Sequence, residues 1–128
     1  KALQLAGEYT PSDPQVQFEL GNTYIGLKQF TKALSHIEIA NALQTNNPRI
    51  LAALGYTWFH LGNNQRATNF LEQAVKLAPT FALAWYHLGN VQVTRGDVNG
   101  AKESFSMAVQ LQPTFTRAKE AISQLEGR

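Results

Sequence analysis

Residues 82–115 read ALAWYHLGNVQVTRGDVNGAKESFSMAVQLQPTF, and their framework stands twice more upstream at intervals of 34 residues. Leu88-Gly89 repeats Leu54-Gly55 and Leu20-Gly21. Ala101 repeats Ala67 and Ala33, Ala108 repeats Ala74 and Ala40, and Leu111 repeats Leu77 and Leu43. Fifteen positions in five columns agree without a gap. A period of this length marks an array in which each repeat is one supersecondary element stacked on its neighbours. The units run 14–47, 48–81 and 82–115.

Each unit predicts two amphipathic helices. The first helices are expected over 14–27, 48–61 and 82–95, the second over 30–44, 64–78 and 98–111. Pro14 and Pro48 stand at the first helical position, each behind a capping side chain, Asp13 or Asn47. Asp97 is placed to cap the second helix of the third unit. Gly62 and Gly96 fall in the turn between paired helices, where a left-handed residue ends a helix at little cost. Pro79 and Pro113 follow the second helices, which proline cannot continue. Gly21, Gly55 and Gly89 lie mid-helix, where glycine costs up to ~1 kcal/mol relative to alanine. Close helix–helix approach against the alanine columns is the expected compensation, with Tyr24, Ile37, Trp58, Leu71, Trp85 and Phe105 filling the remaining space. The expected fold is all-α, a solenoid of antiparallel helix pairs.

Composition agrees with a folded domain and narrows the function classes. The 128 residues are 44% hydrophobic, too apolar for a disordered chain. Charged residues make up 16%, below the usual quarter, and nine Asn and eleven Gln fill the gap. The net charge of +2 is spread along the chain with no basic block, so neither nucleic acid nor an anionic membrane is an expected partner. No apolar run approaches the ~18 residues of a membrane span. With no cysteine, there is neither a disulfide framework nor a thiolate metal site. His36, His60 and His87 show no metal-ligand spacing, and no nucleophile elbow or phosphate-cradling glycine loop is present. No catalytic residue, metal or cofactor is expected.

Trp85-x-x-Leu88-Gly89, followed by Ala101-x-x-x-Phe105, Ala108 and Pro113, resembles the tetratricopeptide repeat (TPR) signature. Leu54-Gly55, Trp58, Ala67, Ala74 and Pro79 carry the resemblance in the second unit, and Leu20-Gly21, Tyr24, Ala33 and Ala40 in the first. It covers the three units and implies a right-handed superhelix. Three positions depart from it. Gln17 stands where Trp85 stands in the third unit and is expected to face solvent or an upstream repeat. Gln92 replaces the aromatic of Tyr24 and Trp58, which is expected to loosen packing. Thr45 replaces the proline.

The ends are read against the same frame. Lys1–Ala6 resembles the last turns of a second helix stopped by Gly7, so residues 1–13 are expected to be the end of a preceding half repeat plus a linker. The join Glu8–Asp13 is about four residues longer than the family's usual one. The chain is accordingly expected to be a fragment of a longer protein or to have lost its N-terminus. Residues 116–128 begin a first-helix pattern without the Leu-Gly pair. Ala118, Ala121, Ile122 and Leu125 share one face, with Arg117, Lys119, Glu120, Ser123 and Gln124 elsewhere. That is the polar-backed capping helix a repeat array needs.

In TPR proteins the first helices line a concave groove. The resemblance places there Gln15, Phe18, Asn22, Ile25 and Gly26; Arg49, Ala52, Tyr56, Phe59 and His60; and Leu83, Tyr86, Asn90, Val93 and Thr94. The candidate peptide-binding residues are Phe18, Asn22, Ile25, Arg49, Tyr56, Phe59, Tyr86, Asn90 and Val93, with Arg49 as the single groove charge. Chaperone-binding members clamp a carboxylate with cations at positions held here by Phe18, Ala52 and Tyr86, so a two-carboxylate clamp is not expected. A neutral, partly apolar peptide or amphipathic helix suits these side chains better. Three helices ~10 Å apart span ~20 Å, room for about six extended residues. The expected function is a protein-interaction scaffold in a multiprotein assembly. Two alternatives stand beside it: self-assembly by stacking of the N-terminal half repeat through Leu3 and Leu5, and presentation of substrates to the catalytic domain of a larger enzyme.

Overall fold

The computed structural model describes residues 13–127. Among them are seven α-helices and no strand: α1 Pro14–Gly26, α2 Phe30–Leu43, α3 Pro48–His60, α4 Asn64–Leu77, α5 Ala82–Thr94, α6 Val98–Leu111 and α7 Thr116–Glu126. The six helices of the three units end within one residue of the expected positions. The half repeat expected over residues 1–13 lies, apart from Asp13, outside the described residues.

Side-chain caps start four of the helices. The Asp13 carboxylate accepts from the Gln15 N–H at 3.0 Å, Asn47 from Arg49 at 2.9 Å and Asp97 from Gly100 at 2.9 Å. Asn63, which the sequence reading passes over, does the same for Arg66 at 3.0 Å. Each such bond satisfies an orphan amide and contributes ~1 kcal/mol.

The three hairpins close by one device. The Gln29, Asn63 and Asp97 N–H groups donate back to the carbonyls of Tyr24, Trp58 and Gln92 at 2.8–2.9 Å. This requires a left-handed residue just before each donor. Gly62 and Gly96 supply it at φ 88° and 86°, but the first hairpin uses Lys28 at φ 60°. A side-chain-bearing residue there costs roughly 1–2 kcal/mol, offset in part by glycine's greater freedom in the unfolded chain. Lys28→Gly is therefore expected to stabilise the fold by about 0.5–1 kcal/mol, read as a higher urea midpoint at unchanged slope. A lower midpoint would mean that the Lys28 side chain contributes more than its backbone costs. At Thr45, where the resemblance expects proline, the chain turns instead through Asn46 at φ 63°, a conformation asparagine tolerates, before Asn47 caps α3.

Neighbours in sequence are neighbours in space. Each first helix lies against its own second helix, and each second helix against the first helix of the next unit. α1 also touches α3, and α3 touches α5, so the first helices share one side of the stack. Ala33, Ala40, Ala67, Ala74, Ala101 and Ala108 are all buried with no exposed surface. A Cβ added to Gly55 would fall 2.5 Å from Leu71 Cγ, one on Gly89 2.5 Å from Phe105 Cε1, and one on Gly21 would run into Ile37. The bare helix surface thus receives a large side chain from the paired helix in every unit. Ile37, Leu71 and Phe105 are buried as expected, whereas Tyr24, Trp58 and Trp85 are only half-buried.

The two polar departures each find a partner on the second helix of their own unit. Gln17 does not face solvent. It is buried, and its Oε1 lies 2.9 Å from His36 Nδ1, so α2 satisfies the polar group that replaces tryptophan. Gln92 accepts from the Ser104 hydroxyl at 2.6 Å. That bond occupies the register at which Tyr24 stacks on His36 in the first unit. An open hollow of about 590 Å³ lies beside Gln92, Trp85, Leu88 and Met107. At the C-terminal end, Ala118 and Leu125 of α7 are buried, and Ala121 and Ile122 pack with them against Ala101 and Phe105.

Candidate functional site

Because α1, α3 and α5 stand side by side, residues at one register on each helix meet in a trough. Phe18, Asn22 and Ile25 of α1 join Arg49 and Tyr56 of α3 around a depression of about 450 Å³, which Leu83 and His87 of α5 close. Tyr56 and Phe59 of α3 join Tyr86 and Asn90 of α5 around a second depression of about 210 Å³. Tyr56, His87 and Arg117 line both, so the two are halves of one trough.

Aromatic side chains that line it contact one another and their neighbours. Phe30 stacks on His60 at 4.7 Å between centroids, His60 meets Tyr56 at 4.4 Å, and Tyr56 meets His87 at 4.8 Å. Beyond them Tyr86 meets Phe115 at 4.9 Å. Phe18 is 6% exposed, and the Arg49 guanidinium lies 5.1 Å above its ring, so Phe18 is floor rather than free surface. Asn22 is exposed and Asn90 half-buried on opposite sides, each offering an amide donor and acceptor. Val93 is the one candidate that lines neither depression. It packs instead into the cluster of Ala101, Phe105 and Leu125, because α7 covers that end of α5.

Burial pushes the His87 imidazole down to about 4, with neighbouring His60 adding to the effect. Burial, and after it the Lys28 charge, lowers His60 as well. Both rings are therefore neutral at pH 7. Among the described residues, no Asp or Glu lines either depression. The expectation of a single groove charge is corrected here. Arg117 of α7 reaches the trough, so among the described residues two guanidiniums face it rather than one.

The residues missed had a readable signal. Arg117 follows Arg49 by two 34-residue periods, but α7 lacks the Leu-Gly pair, and the helical spacing sets Arg117 only off the apolar face of a capping helix. His87 lies four residues after Leu83 and three before Asn90, on the same helical face. Among the described residues, no group of three His, Cys, Asp or Glu side chains is placed to hold a metal. No helix among them is long and apolar enough to cross a membrane.

The tetratricopeptide repeat profile matches residues 59–125, more than half of the chain. The chain belongs to the tetratricopeptide repeat family. This TPR array superposes on the crystal structure of MamA with a TM-score of 0.88 at 26% identity, over 97% of this chain and 73% of that one. It is similar in fold to the first TPR of Spaghetti (RPAP3) bound to the HSP90 peptide SRMEEVD, with a TM-score of 0.84 at 18% identity, over 89% and 90% of the two chains. It also resembles part of a Thermobaculum terrenum O-GlcNAc transferase, with a TM-score of 0.84 at 24% identity, over 88% of this TPR chain and 22% of the transferase. No curated protein matches the sequence.

Proposed function

We propose that this TPR array is a non-catalytic protein-interaction scaffold whose trough holds a short, partly apolar segment of a partner protein. The observation that carries the reading is the continuity of the trough. Ile25, Tyr56, Leu83 and Tyr86 present apolar surface along it, and Asn22 and Asn90 flank that surface with amides able to fix a bound backbone. The peptide held by the Spaghetti domain supports a ligand of this size on this fold. The segment satisfies the apolar walls with alternate side chains and the asparagines with its own amides, as extended peptides do elsewhere.

The test begins with panning a random heptapeptide library, displayed as loops on phage, against the full chain. Selected peptides are resynthesised with a fluorophore for anisotropy. The double variant Tyr56→Ala/Asn90→Ala removes a central aromatic and a flanking amide, and a loss of ~2 kcal/mol is usual for a buried aromatic anchor. Affinity is expected to fall at least ~30-fold with the helical circular dichroism unchanged. A folded double variant that binds as tightly as the parent would move the interaction to the convex face.

A further inference from the structure

We propose that the open hollow between α5 and α6 is a second docking site, which takes an aromatic side chain of a partner protein standing next to an arginine or lysine. The hollow shares no lining residue with the trough. Trp85, Leu88 and Gln92 turn to it from the opposite side of α5 to Tyr86 and Asn90. The first two units show what belongs in this place. In the first, Tyr24 stacks on His36 at 5.5 Å and Lys32 Nζ lies 5.8 Å from the Tyr24 ring centroid. In the second, the Arg66 guanidinium lies 4.9 Å over the Trp58 ring, and Phe70 stands at the register of His36. In the third unit all three positions change together. Gln92 replaces the first aromatic, Ser104 replaces His36 and Phe70, and Gly100 replaces the cation. Gln92, Gly100 and Ser104 all line the hollow of about 590 Å³. Space that two units fill from within is thus left open in the third.

The surroundings set the chemistry of the occupant. Trp85, Leu88 and Met107 wall the hollow. The Trp85 indole N–H already donates to the Pro79 carbonyl at 2.8 Å, so Trp85 offers its ring, and Met107 offers a thioether, both favourable neighbours for an aromatic side chain. The charge around Gly100 has changed as well. One turn to either side of the cation stand Gln29 and Ser35 in the first unit, and Asn63 and Asn69 in the second, all uncharged; Gly100 is flanked by Asp97 and Glu103. Lys102 borders the hollow too, which leaves an excess of one negative charge. A Cβ on Gly100 would run into the Asp97 carboxylate, so α6 itself does not restore the cation at this position. An incoming ring with a basic neighbour supplies both missing parts, the ring between Trp85 and Met107 and the cation opposite Glu103. No aromatic residue among these 128 stands directly beside Arg or Lys, so a second copy of this stretch does not provide the pair.

The loop-displayed heptapeptide library is panned for this site on the full chain carrying Tyr56→Ala/Asn90→Ala. It is first depleted on the same protein with Gln92→Trp/Ser104→Phe added, which fills the hollow as the second unit fills its own. Met107→Lys, at a half-buried wall position, serves as the blocking change if the filled protein does not fold. Surviving peptides are expected to carry Phe, Tyr or Trp beside Arg or Lys and to bind the parent chain as tightly as the panned variant. Replacing their aromatic residue by Ala should weaken binding to the parent at least ~10-fold, as loss of an aromatic anchor does. Glu103→Lys should weaken it about 5-fold with helicity unchanged, and a peptide with Glu in place of its basic residue should lose that sensitivity. Survivors without an aromatic–basic pair would overturn the site. So would peptides that bind Met107→Lys and Glu103→Lys as tightly as the parent, or a library with no member that distinguishes the open hollow from the blocked one. None of these results bears on the trough, whose peptides are read through Tyr56 and Asn90.

Discussion

Phe105→Ala is expected to lower the unfolding free energy by about 3–5 kcal/mol, as truncation of a buried phenylalanine does when the surroundings cannot collapse. Phe105 is 1% exposed and sits in the cluster shared with Ala101 and Leu125, so the cavity would open at the junction of α5, α6 and α7. Its ring lies over the bare backbone of Gly89: an added Cβ would stand 2.5 Å from Cε1, 2.7 Å from Cδ1 and 2.9 Å from Cζ. Gly89→Ala should therefore destabilise by roughly 1–3 kcal/mol through overpacking, although helix propensity alone would favour it by up to ~1 kcal/mol. The double variant should lose clearly less than the sum of the two, because the new methyl enters space the ring has left. Denaturant titrations of the four proteins measure this. A Gly89→Ala protein more stable than the parent would remove close approach as the reason for the glycine column.

Acid should weaken the fold through His87. The folded state holds its imidazole at about 4, against 6.5 for an unperturbed histidine. Unfolded chains then bind a proton in the interval between these values while folded chains do not, so stability rises with pH across it. The contribution is fully present above pH 6.5, falls as the pH drops towards 4, and changes no further below that. At ~1.4 kcal/mol per pKa unit, an interval of about 2.5 units corresponds to roughly 3 kcal/mol. His60 acts in the same direction, since its pKa is lowered too. Among the described residues, the titratable groups that line the trough with His87 are Arg49, Tyr56 and His60 of α3, Tyr86 of α5 and Arg117 of α7, none of which supplies a compensating carboxylate. Carboxylates elsewhere also titrate near pH 4, so the decisive quantity is the difference from His87→Gln. Between pH 7 and pH 4.5 that variant should lose about 2–3 kcal/mol less than the parent. Identical pH slopes for the two proteins would show that His87 is not held neutral.

The fold was legible because its determinants are local and repeated. Pro14, Pro48, Asp13, Asn47 and Asp97 mark helix starts by the chemistry of their own side chains, and they do so wherever the helix later packs. The glycine column pointed to close approach before any partner was known, and Ile37, Leu71 and Phe105 occupy that place. Exceptions arose where two elements had to be known together. Gln17 is polar and was expected to face solvent or an upstream repeat, but it is buried beside an imidazole that comes from α2. Lys28 gives no sign of a left-handed turn on its own, and only alignment with Gly62 and Gly96 exposes it.

The periodicity of the sequence by itself determined seven helices, their pairing and the face each turns to its neighbour, because a helical face follows from spacing alone. The resemblance to the TPR family, and not the spacing, carried Phe18, Asn22, Ile25, Arg49, Tyr56, Phe59, Tyr86 and Asn90 over to the inner side. Tertiary structure alone decided which of them meet and which are already occupied. Val93 is consumed by α7, Phe18 is covered by Arg49, and Arg117 enters the trough from a helix outside the three full units. These outcomes depend on how far each helix pair is rotated against the next and on where the last helix docks. Both are set by the balance of side-chain volumes across interfaces, a quantity no single stretch of sequence contains.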